Sequence, residues 1–337
     1  MRDVAALAGV SVKTVSRVVN LEPHTRPEVV QRVRAAIAEL QWVPNGSART
    51  LRTGRTGVVG IGVAELRRPY LATLVEALVA EADRRGMPAA VEPTHDEPDR
   101  VRSLLEARGR YFDGVVLIGP YQETASPDGA LRDRPVVVVQ GGPSPAEIDR
   151  VDEDVAEAAA LVSRHLAVIG RARPVLLGSD RARLPGEDPA RASAVLAAAL
   201  QAAGIGRSDV PTVRLDGGVG DRRAGAQAAK LALERHPDAD ALVCVNDEVA
   251  VGALAAIASR GVDVPGRLAV IGYDNLDDGR FSTPSLTTID PGPRRLARAA
   301  LELLSDRLVG VAPVHARAVT LPVDLVRRES TLGMGAR

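Results

Sequence analysis

Aromatic side chains are nearly missing from this chain: one Trp, four Tyr and two Phe in 337 residues. A binding site built on ring stacking is therefore poorly supplied. Lysine is scarce too, with Lys13 and Lys230 the only two, so arginine carries the positive charge. The single cysteine, Cys244, cannot form an internal disulfide and, inside the apolar run ALVCV, reads as a small buried hydrophobe. Five histidines are scattered near no cysteine pair, which leaves no metal-binding spacing. No serine occupies a nucleophile elbow. Gly60-Ile61-Gly62 follows a strand pattern but lacks the third glycine and the distant acid of a dinucleotide site. Asp274, Asp278 and Gly279 fall short of a calcium loop, because Leu276 stands at the third position and Ser285 at the twelfth, where a bidentate Glu is required. Nothing here supports catalysis, and no cofactor or metal is expected. No run of residues reaches membrane-spanning length, and Asp3 with the polar face behind it interrupts any signal-peptide core, so a cytoplasmic protein is expected.

What is present begins with size and charge. The length exceeds the usual single-domain size by about a factor of two, so two or three cores are expected. Acidic and basic residues balance at 43 each. That balance conceals an asymmetry, because residues 1–57 hold nine Lys or Arg against four Asp or Glu. A basic head on an acidic body suits a protein whose head alone meets a polyanion.

The opening run MRDVAALAGVSVKTVSRVVN gives that head its chemistry. Two short helical patterns meet at Ala8-Gly9-Val10, with Gly9 allowing the sharp turn and Ser11 placed as the N-cap of the second helix. Val10, Val15, Val18 and Val19 share one face, while Val12, Lys13, Ser16, Arg17 and Asn20 share the other. One face packs, and the other has the composition of a helix that reads DNA from the major groove. Val12 suits a thymine methyl, and Lys13 and Arg17 suit guanine acceptors. Ser11, Thr14, Ser16 and Asn20 are short donors suited to phosphates. The plainer alternative is an amphipathic helical pair on an ordinary globular protein. A third helix from about Pro27 to Leu40, with Val30, Val33 and Ile37 inward, completes a small core on which Trp42 packs. Pro44 ends the regular pattern, and Asn45 to Arg55 is a polar tether carrying Arg49, Arg52 and Arg55.

From Val58 the pattern changes. VVGIGV, a helix from Tyr70 to Arg84, AAV, a helix from Pro98 to Arg108, and GVVLIG form one series; PVLLG, ALVCV and LAVIG with Ala-rich helices form another. Strands alternating with helices predict parallel sheets covered on both faces, and two such layers predict a two-lobed α/β body. In open parallel sheets ligands bind beyond the carboxyl ends of the strands, where Tyr70, Asn246, Asp247 and Asp274 fall.

MRDVAALAGVSVKTVSRVVN, QWVPNGSARTLRTGRTGVVGIGV, FDGVVLIG, RHLAVIGRARPVLLG, CVNDEVAVGAL, VIGYDN, TPSLTTI and LVRREST together resemble the LacI/GalR family of transcriptional repressors, from end to end. The resemblance implies an N-terminal all-α helix-turn-helix head plus an α/β two-lobed, periplasmic-binding-protein-like (type I) core with parallel sheets. It implies residues 1–57 as the DNA-binding domain with a hinge helix at about 45–55. Residues 58–337 would form the effector-binding and dimerisation core. The function implied is a sequence-specific regulator that binds a pseudo-palindromic double-stranded operator as a homodimer. A small effector, a sugar or related metabolite, would act in the interlobe cleft. By the same resemblance Val12, Lys13 and Arg17 read bases, His24 lies near the phosphates, and the tether from Asn45 folds into a helix on DNA. Leu51 becomes the minor-groove wedge and Ala48 faces the partner hinge. The cleft residues carried over are Tyr70, Asp154, Asn246 and Asp274, although helix capping or a turn is an equally direct role for Asp154 and Asp274.

The chain also departs from the family pattern. It begins at Met1-Arg2-Asp3, a few residues short, which sets the expected start upstream. Arg26 and Gln41 replace the usual Ser and Gly caps of the third helix, each loss worth on the order of 1 kcal/mol. A pocket arginine aligns with Ala192, beside Arg191; an aromatic wall residue aligns with Gly220; a crossover glutamine aligns with Pro291. Two other classes stay open on the residues alone. One is a solute-binding protein of the same core fold with no transcriptional role, which the basic head opposes. The other is an enzyme on the doubly wound core. No coiled-coil tail follows Thr331, so a dimer rather than a tetramer is expected.

Overall fold

The computed structural model describes residues 1–19, 25–42, 55–107, 111–119, 135–141, 148–178, 198–205, 210–215 and 220–333. The chain divides into two compact units, Met1–Thr56 and Gly57–Arg337.

Among the described residues of the first unit, three helices surround one small core. Helix α1 (Arg2–Ala8) stops at Gly9, whose left-handed backbone (φ 62°) lets its amide return to Ala6. Helix α2 (Val12–Val19) follows at once, and α3 (Pro27–Glu39) closes the bundle, with proline at its head where a missing N–H does no harm. Val4, Ala5, Ala8, Val15, Val18, Val33 and Ala36 are buried together, and Val10, Val19, Val29, Val30, Ile37 and Trp42 pack around them.

Among its described residues, the second unit holds two six-stranded sheets. The first runs β11-β5-β4-β3-β1-β2, with β1 (Val59–Val63), β2 (Ala89–Pro93), β3 (Gly114–Ile118), β4 (Val136–Val139), β5 (Asp149–Glu153) and β11 (Ala318–Leu321), all neighbours parallel. The second runs β12-β10-β9-β8-β6-β7, with β6 (Pro174–Gly178), β7 (Thr212–Arg214), β8 (Ala241–Cys244), β9 (Ala269–Tyr273), β10 (Thr287–Asp290) and β12 (Asp324–Val326). Among the described strands, its β12 alone pairs antiparallel. Strands β1, β3, β4, β6 and β8 are buried at every position, as the unbroken Val, Ile and Leu runs of two-face-covered parallel strands require.

Helices α4 (Pro69–Arg84) and α5 (Pro98–Glu106) belong to the first sheet, α7 (Arg222–Arg235) and α8 (Asp247–Ser259) to the second. Leu74 and Leu78 of α4 are wholly buried, each worth about 1.5–3 kcal/mol of hydrophobic stabilisation. Helices α7 and α8 touch through glycines: a Cβ on Gly252 would stand 1.8 Å from the Arg222 carbonyl, and one on Gly225 would stand 2.2 Å from that of Val249. The backbones could not approach so closely around any side chain.

The two sheets are not consecutive in the sequence. The chain passes from the first to the second at Asp154, where α6 (Val155–Val168) starts and packs with β6, β8 and β9. It returns at Pro291-Gly292, and α10 (Pro293–Val309) buries Leu296, Ala297, Ala300, Leu301, Leu303 and Leu304 in the first sheet's core. It crosses a third time between β11 and β12. The second lobe also carries two short helices, α9 (Asp277–Arg280) and α11 (Glu329–Leu332). Each lobe is therefore built from both halves of the unit.

Candidate functional site

Helix α2 owes its start to one side chain. Ser11 Oγ accepts from the Thr14 amide at 3.1 Å and shares a 2.9 Å hydrogen bond with Thr14 Oγ1, so the Ser11 N-cap expected from sequence is present. Val15 and Val18 turn inward, while Val12, Lys13 and Arg17 stand exposed and Ser16 is half-buried. Val12 leaves 43% of its surface in solvent at the beginning of the helix, an apolar contact beside two cations. The missing caps of α3 are equally visible. Arg26 makes no side-chain cap bond, and past Leu40 the chain turns through Gln41 at φ 44°, a left-handed geometry that glycine adopts without strain. Trp42 is half-buried on the small core. Asn20, His24, Asn45, Ala48 and Leu51 lie outside the described residues, as do Arg191 and Ala192.

The four cleft residues fall at the carboxyl ends of the two sheets, in distinct surroundings. Tyr70, in the first turn of α4, is only 2% exposed, and its Oη accepts from Gln140 Nε2 at 3.0 Å. Gln140 follows β4 with a left-handed backbone (φ 55°). Asp154 is the N-cap of α6 and accepts from the Glu157 amide at 2.9 Å. Asn246 caps α8: Oδ1 accepts from the Val249 amide at 2.8 Å, and Nδ2 donates to the Gly220 carbonyl at 2.9 Å. Asp274 follows β9 in a strained backbone conformation (φ 120°), and its amide donates to Ile289. Tyr70 thus belongs to the first lobe, Asn246 and Asp274 to the second, and Asp154 to the crossing between them.

Two neighbours of these residues carry more of the local electrostatics than sequence reading assigned to them. Asp247 is fully buried beside Asp274, with Oδ2 accepting from the Leu276 amide at 2.7 Å and Oδ1 from Thr288 Oγ1 at 2.6 Å. Burial first, and then the charge of Asp274, push its carboxyl well above the usual carboxylate range, against the opposing effect of the two hydrogen bonds and Arg328. Arg68, the N-cap residue of α4, comes from the first lobe, yet one of its terminal nitrogens lies 3.6 Å from where a Cβ on Gly220 would stand. The same Cβ would be 2.7 Å from Asn246 Nδ2, so Arg68, Gly220 and Asn246 meet where the two sheets' carboxyl ends face one another. No sequence signal marked Arg68, because one member of a loop pair Arg67-Arg68 has no periodicity to betray its direction.

Around them lie Glu248, Asp221, Asp278 and Arg222. Burial raises the Glu248 carboxyl above its ordinary value despite the lowering influence of Arg222 and Arg68. Asp221 accepts from the Ala224 amide at 2.8 Å as the N-cap of α7, and Asp278 pairs with Arg222 at 2.9 Å. Among the described residues no group of three His, Cys, Asp or Glu could hold a metal ion, and no helix is long and apolar enough to cross a membrane.

Comparison with known proteins bears on both ends of the chain. The sequence pattern of bacterial regulatory proteins of the lacI family matches residues 1–45, and that of the periplasmic binding protein-like domain matches residues 163–331. The HTH-type transcriptional repressor PurR of Mannheimia succiniciproducens is 31% identical over 98% of each chain. The chain belongs to the lacI family. Among solved structures, a LacI-family transcriptional regulator from Sanguibacter keddieii is 33% identical, covering 82% of this chain and 99% of its own, with a TM-score of 0.69. The lac repressor dimer bound to operator and an anti-inducer is 26% identical over 98% of both chains, with a TM-score of 0.77. As a lacI-family member the chain is a DNA-binding transcriptional regulator, with a helix-turn-helix head and a type I periplasmic-binding-protein-like core. Within that family frame, α2 is the second helix of the helix-turn-helix.

Proposed function

We propose that this lacI-family protein is a cytoplasmic repressor without enzymatic activity. It binds a pseudo-palindromic operator as a homodimer and is released or recruited by a small-molecule effector held between the lobes. The observation that carries the reading is the exposed row Val12, Lys13 and Arg17 on a helix whose other face is locked by Val15 and Val18. Residues 1–57 form the DNA-binding domain, with a hinge segment at about 45–55 that contributes Asn45, Ala48 and Leu51. Residues 58–337 form the effector-binding and dimerisation core. Ser11, Thr14, Ser16, Asn20 and His24 hold phosphates, and Leu51 wedges the minor groove. Tyr70, Asp154, Asn246 and Asp274 border the effector. A sugar or related metabolite fits the general plan, with the shortage of rings making polar contacts the main source of affinity. The deciding experiment is selection of bound sequences from a random DNA pool by the full-length protein. Enrichment of a two-fold symmetric site with half-sites about one helical turn apart is the expected result. Recovery of no sequence above background, at low and moderate salt alike, would overturn it.

A further inference from the structure

We infer that the effector carries an anionic group, a carboxylate or a phosphate, and that Arg68 is its counter-ion. The inference rests on the effector reading above and adds the chemical class. Four observations lead to it. First, Arg68 crosses from the head of α4 in the first lobe to Gly220 and Asn246 in the second, so its guanidinium stands between the two sheets' carboxyl ends. Second, it is half-buried, and its guanidinium makes no hydrogen bond or ion pair to any described residue, although it offers five donors in a fork that matches carboxylate and phosphate.

Third, the acids nearby are already engaged. Asp221 Oδ1 and the neighbouring Asn246 Oδ1 accept from their own helix amides. Asp278 is neutralised by Arg222. Glu248 feels Arg68 only through space, without a hydrogen bond between them, and burial favours its neutral form. Asp247 is enclosed by Leu276 and Thr288. Asp274, which has its own contacts, lies on the Asp247 side, where its charge acts on the Asp247 carboxyl. Fourth, the N-caps of three long helices lie together here: Arg68 for α4 (16 residues), Asp221 for α7 (14 residues) and Asn246 for α8 (13 residues). Their aligned peptide dipoles add positive potential at the same place. Gly220 leaves open the space in front of the guanidinium that any larger side chain would fill.

The ligand chemistry follows. A neutral polyol would leave the guanidinium and the three helix ends without a matching charge, whereas one anionic oxygen group would satisfy the fork and bridge the lobes. Because it would touch residues of both lobes, it would favour their closed arrangement over an open one.

The test uses full-length protein and thermal denaturation with four probes: glucose, gluconate, glucose 6-phosphate and inorganic phosphate, each at 20 mM or so, on the order of saturating for a weak site. The wild type is expected to melt about 2 °C or more higher with at least one anionic probe and to be indifferent to glucose. Gluconate and glucose 6-phosphate separate the carboxylate from the phosphate source. Arg68→Ala should abolish the shift and Arg68→Lys should keep part of it. Arg260→Ala, which removes a positive charge paired with Glu234 elsewhere on the second lobe, should leave it intact. An anion-induced shift that survives Arg68→Ala, or that Arg260→Ala removes equally, would overturn the inference. So would a shift with glucose alone, which would still support an effector-responsive core. No shift with any probe, and none with a wider panel of neutral metabolites, would overturn the effector reading together with this one.

Discussion

The backbone amide of Asp154 donates to the carbonyl of Leu321 at 2.8 Å, tying the first crossing between the lobes to the third. Arg295 ties the second crossing to the third in the same way, through Asp324 at 2.8 Å and the Pro322 carbonyl at 3.0 Å. Three strands of chain thus form one stitched hinge between the lobes. Arg295→Ala should cost less than about 1 kcal/mol, because both partners are substantially exposed. Its signature should instead be local, as faster amide hydrogen exchange at residues 152–155 and 320–324. Unchanged exchange there would mean that the arginine does not hold the hinge.

Acid should attack the first lobe at Asp149. Its side chain is fully buried in β5, where Arg307 and Arg317 both reach it, at 2.7 Å and 2.6 Å. Burial opposes its charge, yet the hydrogen bonds from Arg307 and Arg317 outweigh that and hold the carboxyl below its ordinary range. A depressed folded-state value contributes stability that is present above the unfolded value of about 3.9 and lost as pH falls through the folded one. Asp149→Asn should therefore be destabilised by about 3 kcal/mol at pH 7, with two partly buried guanidiniums left short of a counter-charge. It should also show a weaker stability loss than the wild type below pH 4. Urea melts across pH 2.5–7 measure both.

Asp247 has the opposite sign. Its raised folded-state value gives a stability contribution fully present below the unfolded value and lost as pH rises from there toward the folded one. Asp247→Asn should flatten that slope, since an amide keeps the shape without the charge. Asp247→Ala leaves the Leu276 amide and the Thr288 hydroxyl short of their acceptor and should cost about 1–3 kcal/mol. Equal pH slopes in wild type and Asp247→Asn would show that the carboxyl stays ionised in the fold.

On DNA, Arg17→Ala should lose about 1–3 kcal/mol of specific binding and relax the preference at one base pair in each half-site. The selected operator and a random duplex, titrated at one salt concentration, make the comparison. Equal loss on both would reduce Arg17 to a phosphate contact.

Gly252→Ala tests the α7–α8 contact. The new methyl group would collide with the Arg222 carbonyl, and backbone cannot swing aside as a side chain tip can. A loss of about 1–3 kcal/mol is expected. A melting temperature within about 1 °C of wild type would mean that the helices separate freely.

Much of the architecture was legible because burial on both faces writes itself as apolar runs: VGIGV, GVVLI, PVLLG and ALVC all became strands. β5 was not, because its inward positions include Asp149 and Glu153, so the buried face reads as polar. β10 was hidden likewise, with Thr287 and Thr288 buried and satisfied by Ser330 and Asp247. The edge strand β11 buries no residue completely, and its alternation, with Val319 and Leu321 half-buried, spans only four residues. In the site, the caps Ser11 and Asp154 were recognisable from residue type just ahead of a helix. Gly225 and Gly252, mid-helix glycines, were a signal of close packing that could have been read. The Asp247 hydrogen bonds and the reach of Arg68 depend on what the fold brings beside them, and no local pattern records that.

The interleaving of the lobes has a consequence for a chain emerging from the ribosome. When β5 is complete, the first sheet still lacks α10, whose leucines cover its core, and β11, its edge. Both lie beyond the strands β6 to β10 of the other lobe. At about 5–20 residues per second, the uncovered sheet waits on the order of ten seconds for its own last pieces. Nascent-chain protection, by holdase chaperones or by slow release, should thus matter most while residues 154–320 are being made.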